Sequence, residues 1–340
     1  MATRRNKTTA DHFNDLTTDV NELFGDTHAG QLPSSDAVVQ DNSQWGWGGE
    51  NVDLIAKGNK ITADHTNELV NRINISTYRT NSSDQELVIV AAGEKINAEF
   101  YTTVTTLLDG ARNVRNKVDP SLTTLSTLAV YEYAHQWTHT IQNITVLNFG
   151  GYDEARHFFN AGGDIRLTFN VTDGSDAGYG IWRSILVDMG TLKLNTTTCS
   201  SLNNRGISQD IGFSKLLESE QLLYTSPTGG GGGYGGYGGY GGYGGYGGYG
   251  GYGGYGGYGG YGGYGGYGGY ASSRLKIYGR IENGNLVLRA MLDHAGLGTI
   301  VRGKTSMTVS MSHPSTVTEN NVTLEIPTPS IRLSSPWHET

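Results

Sequence analysis

Residues 229–270 of this 340-residue chain are glycine and tyrosine alone, with a tyrosine at every third position from Tyr234 onward. Two glycines in every three residues supply no side chain to bury and lose the most backbone entropy on ordering, so the tract makes neither an α-helix nor an ordinary sheet core. Two states remain open. A flexible coil of this length would span roughly 35 Å end to end. An extended threefold helix would reach on the order of 130 Å and line the rings along one edge, ordering only by bundling or by packing on a surface. The candidate interaction residues are therefore Tyr234, Tyr237, Tyr240, Tyr243, Tyr246, Tyr249, Tyr252, Tyr255, Tyr258, Tyr261, Tyr264, Tyr267 and Tyr270. Leu222-Leu223-Tyr224 before the tract and Leu275 after it begin strand-like sequence, so the tract is expected to be an insertion in a loop joining two strands. Such insertions cost little, because closure entropy grows with the logarithm of loop length.

The first 140 residues contain a degenerate repeat: NKTTADHFNDLTTDVNELF at 6–24, NKITADHTNELVNRIN at 59–74 and EKINAEFYTTVTTLLDGAR at 94–112. Thr9, Thr62 and Asn97 stand where an N-cap belongs, followed by Ala and an acidic residue suited to the positive end of a helix. Leu16 with Val20, Leu69 with Ile73, and Val104 with Leu108 then recur at helical spacing. Each stripe is narrow, so each helix is expected to need a partner surface. Between the first two copies, Trp45 and Trp47 sit among glycines and polar residues. They are expected to be packing anchors, with exposed glycan-stacking rings as the alternative. Residues 112–140, broken by Pro120, are helical or extended.

From about 141 the apolar period changes to two. Ile165, Leu167, Phe169 and Val171 alternate with polar residues, the mark of a strand with one buried face. The same pattern returns at Leu275, Ile277 and Ile281, at Leu286 and Leu288 beyond an Asn283-Gly284 turn, and at Met307, Val309 and Met311. Further strands are expected at Val322–Ile326 and Ile331–Leu333, with Pro327 and Pro329 keeping the end at a sheet edge. Short helices are expected near Asp153–Phe159 and Ile181–Asp188. The expected fold class is α+β, mainly β: short N-terminal helices, then an antiparallel β-sandwich-like domain. The expected domains are a helical assembly region at 1–140 and a β-rich domain at 141–228 plus 271–340, with 229–270 inserted.

A net charge of −8, from 24 basic and 32 acidic residues with no long basic run, argues against nucleic acid as a partner. Cys199 is the single cysteine, so no internal disulfide framework exists. The N-terminus lacks the apolar run of a secretory signal and no stretch approaches a membrane span, so the chain is expected to be assembled in a cytoplasm and released by another route.

Chemistry is sparse. His135 and His139 would share a helix face as two metal ligands do, but no glutamate or third ligand accompanies them. Asp153, Glu154 and His157 suit capping at a helix start, and Asp173-Gly-Ser-Asp176 suits a hairpin turn better than a calcium loop. No nucleophile elbow, phosphate loop or dinucleotide motif occurs, and Cys199 has no apparent base. No catalytic residue, metal or cofactor is expected.

The pattern Lys60-Ile61-Thr62-Ala63-Asp64 through Asn67 and Leu69 resembles short helical modules of tail-associated proteins in tailed phages. The stretch ARHFFNAGGDIRLTF at 155–169, followed by YGIWRSILVDMGTLKL at 179–194, is similar to virion structural proteins of phages that infect marine bacteria and cyanobacteria. Phe158, Phe159, Asn160, Gly162, Gly163, Ile165 and Trp182 carry that resemblance, with IPTPSI at 326–331 closing it. It covers 6–195 and 274–333, and the Gly-Tyr tract departs from it. The resemblance implies a virion subunit of the tail or tail-fibre type that contacts copies of itself, as a trimer by analogy with fibres, and other virion proteins. Two rivals belong to other classes: an adhesin whose Gly-Tyr loop binds host-surface glycans, and a filament bundled through Gly-Tyr segments.

Overall fold

The computed structural model describes residues 10–26, 46–94, 96–228, 273–295 and 299–340, with the backbone alone at 333 and 334. Each copy of the repeat becomes a helix: α1 (Ala10–Phe24), α2 (Ala63–Thr80) and α3 (Ala98–Asn113). The caps work as their sequence position suggests. Thr62 accepts from the His65 N–H while His65 Nδ1 accepts from the Thr62 N–H, a capping box with histidine in the role usual for glutamate. Asn97 accepts from the Phe100 N–H at 2.8 Å. Thr9 lies outside the described residues.

The stripes at Leu16 and Val20, Leu69 and Ile73, and Val104 and Leu108 are all buried, but against one another. The partner surface that the helices need is thus supplied within the chain. Helix α2 lies at the centre, touching α1, α3 and a small hairpin, so it buries Asn71, Arg72, Ser76 and Thr77 as well as its apolar stripe.

The strands follow in chain order: β1 (Thr123–Tyr133), β2 (Ile141–Asn148), β3 (Asp164–Thr172), β4 (Thr191–Leu194), β5 (Cys199–Ser201), β6 (Ile207–Ser208), β7 (Gln221–Thr225), β8 (Arg274–Glu282), β9 (Asn285–Asp293), β10 (Lys304–Pro314), β11 (Val317–Glu319), β12 (Val322–Leu324) and β13 (Ser330–Glu339). They form a five-stranded sheet in the order β1-β10-β3-β4-β5, a six-stranded sheet in the order β13-β2-β9-β8-β7-β6, and the hairpin β11-β12. Every ladder is antiparallel. The chain is therefore mixed α and β, mainly β, as its change of period implies. The turn between β8 and β9 has φ of 51° at Asn283 and 74° at Gly284, the positive pair that an Asn-Gly hairpin takes.

One strand lies before residue 141 yet belongs to the β-sheet region. Residues 123–133, expected to be helical or extended within the 1–140 region, are extended: they form β1 and pair with β10 of the five-stranded sheet. A bulge between Thr127 and Ala129 breaks the alternation, so Leu125 and Val130 share the outward face at an odd spacing and the strand is hidden from a periodicity reading. Asp173–Asp176 is no hairpin turn. Asp176 caps α5 (Ala177–Met189) by accepting from the Tyr179 N–H at 2.8 Å, and its other oxygen accepts from the Arg302 N–H at 2.9 Å.

The Phe-Phe-Asn-x-Gly-Gly run has a packing explanation. Phe158 and Phe159 close α4 (Tyr152–Asn160), and the Phe159 ring stacks on Phe213 at 4.4 Å. Asn160 accepts from the Thr196 hydroxyl at 2.9 Å. Gly162 takes φ +88°, and a Cβ on Gly163 would stand 2.6 Å from the Phe158 ring. Strands β7 and β8 are hydrogen-bonded neighbours, Thr225 opposite Lys276, so the chain leaves and rejoins the sheet on adjacent strands around the Gly-Tyr tract.

Candidate functional site

Four asparagines build the surface around α2. Asn14 and Asn21, two turns apart on α1, each grip one residue of the following extended segment by both backbone groups. Asn14 accepts from Ile55 N–H at 2.8 Å and donates to its carbonyl at 2.9 Å, and Asn21 does the same to Val52. On α2, Asn67 grips Val90 and Asn74 grips Leu87 in the same way. A carboxamide has one donor face and one acceptor, so it substitutes for a neighbouring strand. The clamps carry a sequence signal that periodicity alone does not expose: Ala-Asp-His-x-Asn stands in both copies with a second asparagine two turns later. In α3 the matching positions are Thr102 and Asp109, which are exposed.

Beside the second clamp lies an open cleft of about 620 Å³, between the end of α2, the segment after it and β11. Tyr78, 59% exposed, stands in its wall with Asn81, Asp84, Glu86, Asp119 and Glu319. Asn74 donates to Glu319 at 3.1 Å and so ties the hairpin to the helix. The Ser121 hydroxyl and N–H hold the Asp119 carboxyl below the usual carboxylate range. Among the described residues none of the four carboxylates pairs with a cation. Such a lining accepts hydroxyl or ammonium donors and repels phosphate. No group of three or more His, Cys, Asp or Glu among the described residues is placed to hold a metal ion.

Tyr234 to Tyr270 and Trp45 lie outside the described residues. Trp47 is fully buried and offers no face to a glycan. Its Nε1 donates to the Arg115 carbonyl at 3.2 Å, and the Arg79 guanidinium lies 5.3 Å over its ring. Arg79 is itself buried, donates to the Ala161 carbonyl, and is pushed down to about 9 by burial. This pair joins the helices to the end of α4, so Trp47 is a packing anchor.

His135 and His139 lie in the connection after β1, both exposed, and share no helix face. Cys199 is buried on β5, and burial pushes its thiol up to about 12, which keeps it protonated at neutral pH. Arg156 and His157 on α4 meet Asp26 beyond α1, and Asp153 accepts from the same Arg156 guanidinium at 3.3 Å. Arg156 donates to Asp26 at 2.8 Å and His157 Nε2 lies 2.7 Å from the same oxygen. A Cβ on Gly48 would strike the His157 ring, so this loop approaches as only glycine can.

Burial, and secondarily Arg156, lower the His157 pKa, against an opposing pull from Asp26. The unfolded imidazole takes its proton near pH 6.5, at about the ordinary value, before the folded one does. Stability contributed by neutral His157 is therefore present above that pH and falls as pH drops below it. Thermal unfolding is expected to lose less between neutral and mildly acid pH in His157→Gln than in the wild type; equal losses would refute a proton-linked role.

No family model, curated protein or solved structure matches the chain. No helix among the described residues is long and apolar enough to cross a membrane.

Proposed function

We propose that this chain is a structural subunit of a bacteriophage virion, tail or fibre associated, assembled in the host cytoplasm and acting through contacts with itself and other virion proteins. One observation carries the subunit part of this reading. The two clamped segments turn Val52, Ile55 and Leu87 inward but leave Leu54 61% and Val88 82% exposed, with Ile89 outward at the position matching Leu54. Aliphatic side chains repeated outward on backbone that is rigidly held from behind suit burial against another chain. The virion part rests on the Phe-Phe-Asn-x-Gly-Gly and Pro-x-Pro resemblance. In this reading the two large sheets, which contribute to one continuous core, form a sandwich-like platform that carries the Gly-Tyr tract as a loop.

A second reading, the adhesin, is favoured by the attachment of the tract to two neighbouring antiparallel strands. The described strands that flank it, β7 and β8, are neighbours in one sheet, as a projecting host-binding loop requires. One experiment weighs the two. Phage particles are produced with an epitope-tagged chain, with and without residues 229–270. The tag is expected in purified particles in both cases, with adsorption retained. Loss of adsorption with normal incorporation would favour the adhesin, and a tag absent from particles would overturn the virion reading.

A further inference from the structure

The two large sheets have four edges, and three of them are blunted. Strand β5 has three residues and β6 two. Strand β13 carries Pro336 and shifts register twice, between Arg332 and Ser335 and between Ser335 and His338. Short length, proline and bulges are the usual ways in which an edge is kept from pairing with another chain.

Strand β1 has almost none of these protections. It runs for 11 residues, TTLSTLAVYEY, without proline, lysine or arginine, and among the described residues is hydrogen-bonded to a neighbouring strand, β10, on one side only. Strand β13 of the other sheet comes close to it without joining its ladder. Its one charged residue, Glu132, is already paired with Lys304 at 2.5 Å. Leu125 and Val130 are 60% and 55% exposed. They face outward together because the bulge between Thr127 and Ala129 shifts the alternation by one residue.

We propose that β1 pairs antiparallel with β1 of a second copy of this chain, in the register that sets Leu125 opposite Val130 of the second copy. That register maps onto itself under a two-fold axis, since Val130 then faces Leu125, and one patch serves both subunits. The bulges lie opposite one another, so each strand carries the same extra residue and the ladder stays matched. Glu132 of each copy falls opposite Thr123 of the other, which keeps the two carboxylates roughly 30 Å apart by the strand rise. The pairing joins two five-stranded sheets into one and satisfies the open row of backbone groups on both. It deepens the subunit reading, on which it rests for the expectation of self-contact, by naming the surface and the partner.

The test uses the full chain with Leu125→Cys and Val130→Cys together under mild oxidation. Buried Cys199, with its thiol protonated, does not compete. A covalent dimer is expected on a non-reducing gel from the double variant and from neither single variant, because neither position faces itself. Without new cysteines, Val130→Lys is expected to weaken dimerisation by about tenfold or more while thermal unfolding stays unchanged. A double variant that forms no covalent dimer, a single variant that cross-links as well, or a Val130→Lys chain that dimerises as the wild type does, would overturn the pairing. A trimer in solution without the cross-link would also overturn it, yet leave the subunit reading standing. A cross-linked dimer of a chain absent from phage particles would uphold the pairing and remove the virion reading.

Discussion

Replacing Trp47 by alanine is expected to cost about 3–5 kcal/mol of folding stability, the range for truncating a fully buried large aromatic. The loss has three parts. The indole volume disappears from the junction between the helices and α4; the Arg115 carbonyl loses the donor at 3.2 Å; and the buried Arg79 guanidinium loses the ring beneath it. The last part matters because Arg79 is a cation without a carboxylate partner among the described residues, held by the Ala161 carbonyl and the ring face. Trp47→Phe, which keeps a ring but not the N–H, is expected to fall between wild type and alanine. Urea unfolding followed by circular dichroism measures both. A loss below about 1 kcal/mol for alanine would mean that the site collapses around the cavity and that Trp47 is no anchor.

The second large effect is expected at Asn74. Alanine there removes the donor to the Leu87 carbonyl, the acceptor for the Leu87 N–H and the bond to Glu319 together. Leu87 and Asn74 are both buried, so the freed backbone groups gain little water in compensation, and a cost of about 3 kcal/mol follows. Asn74→Asp is expected to be at least as harmful, since a carboxylate offers no donor and would stand against the Leu87 carbonyl and Glu319. Asn14→Ala, whose clamp on Ile55 is only partly buried, is expected to cost about 1 kcal/mol. Amide hydrogen exchange gives the local readout: Leu87 should exchange much faster in Asn74→Ala while β8 and β9 keep their protection. Unchanged exchange at Leu87 would show that the carboxamide does not hold the segment.

Much of the fold was legible because it is written in local patterns. The capping residues Thr62 and Asn97 act within one helical turn of themselves, and the Asn283-Gly284 turn needs only two positive φ values. The alternation in β3 and β10 directly reports one face against the core. The asparagine clamps were half legible. Their positions repeat in the sequence, but nothing local says that the carboxamides reach extended segments 13 to 41 residues further along. The cleft beside Tyr78 was not legible, because its walls come from α2 and from a hairpin more than 200 residues away, joined through Asn74 and Glu319.

The sequence by itself determined where helices begin, which residues alternate into strands, and that residues 229–270 add no ordinary core, since these follow from backbone sterics, capping and the supply of side chains to bury. Only the tertiary structure decided that the three narrow helical stripes bury one another, that Trp47 lies under Arg79, and that Thr123–Tyr133 is the end strand of the five-stranded sheet. Those outcomes depend on contacts between distant segments. Burial and pairing free energy is gained only when both partners meet, and one bulge at Thr127 is enough to hide from the sequence the strand on which the proposed self-pairing rests.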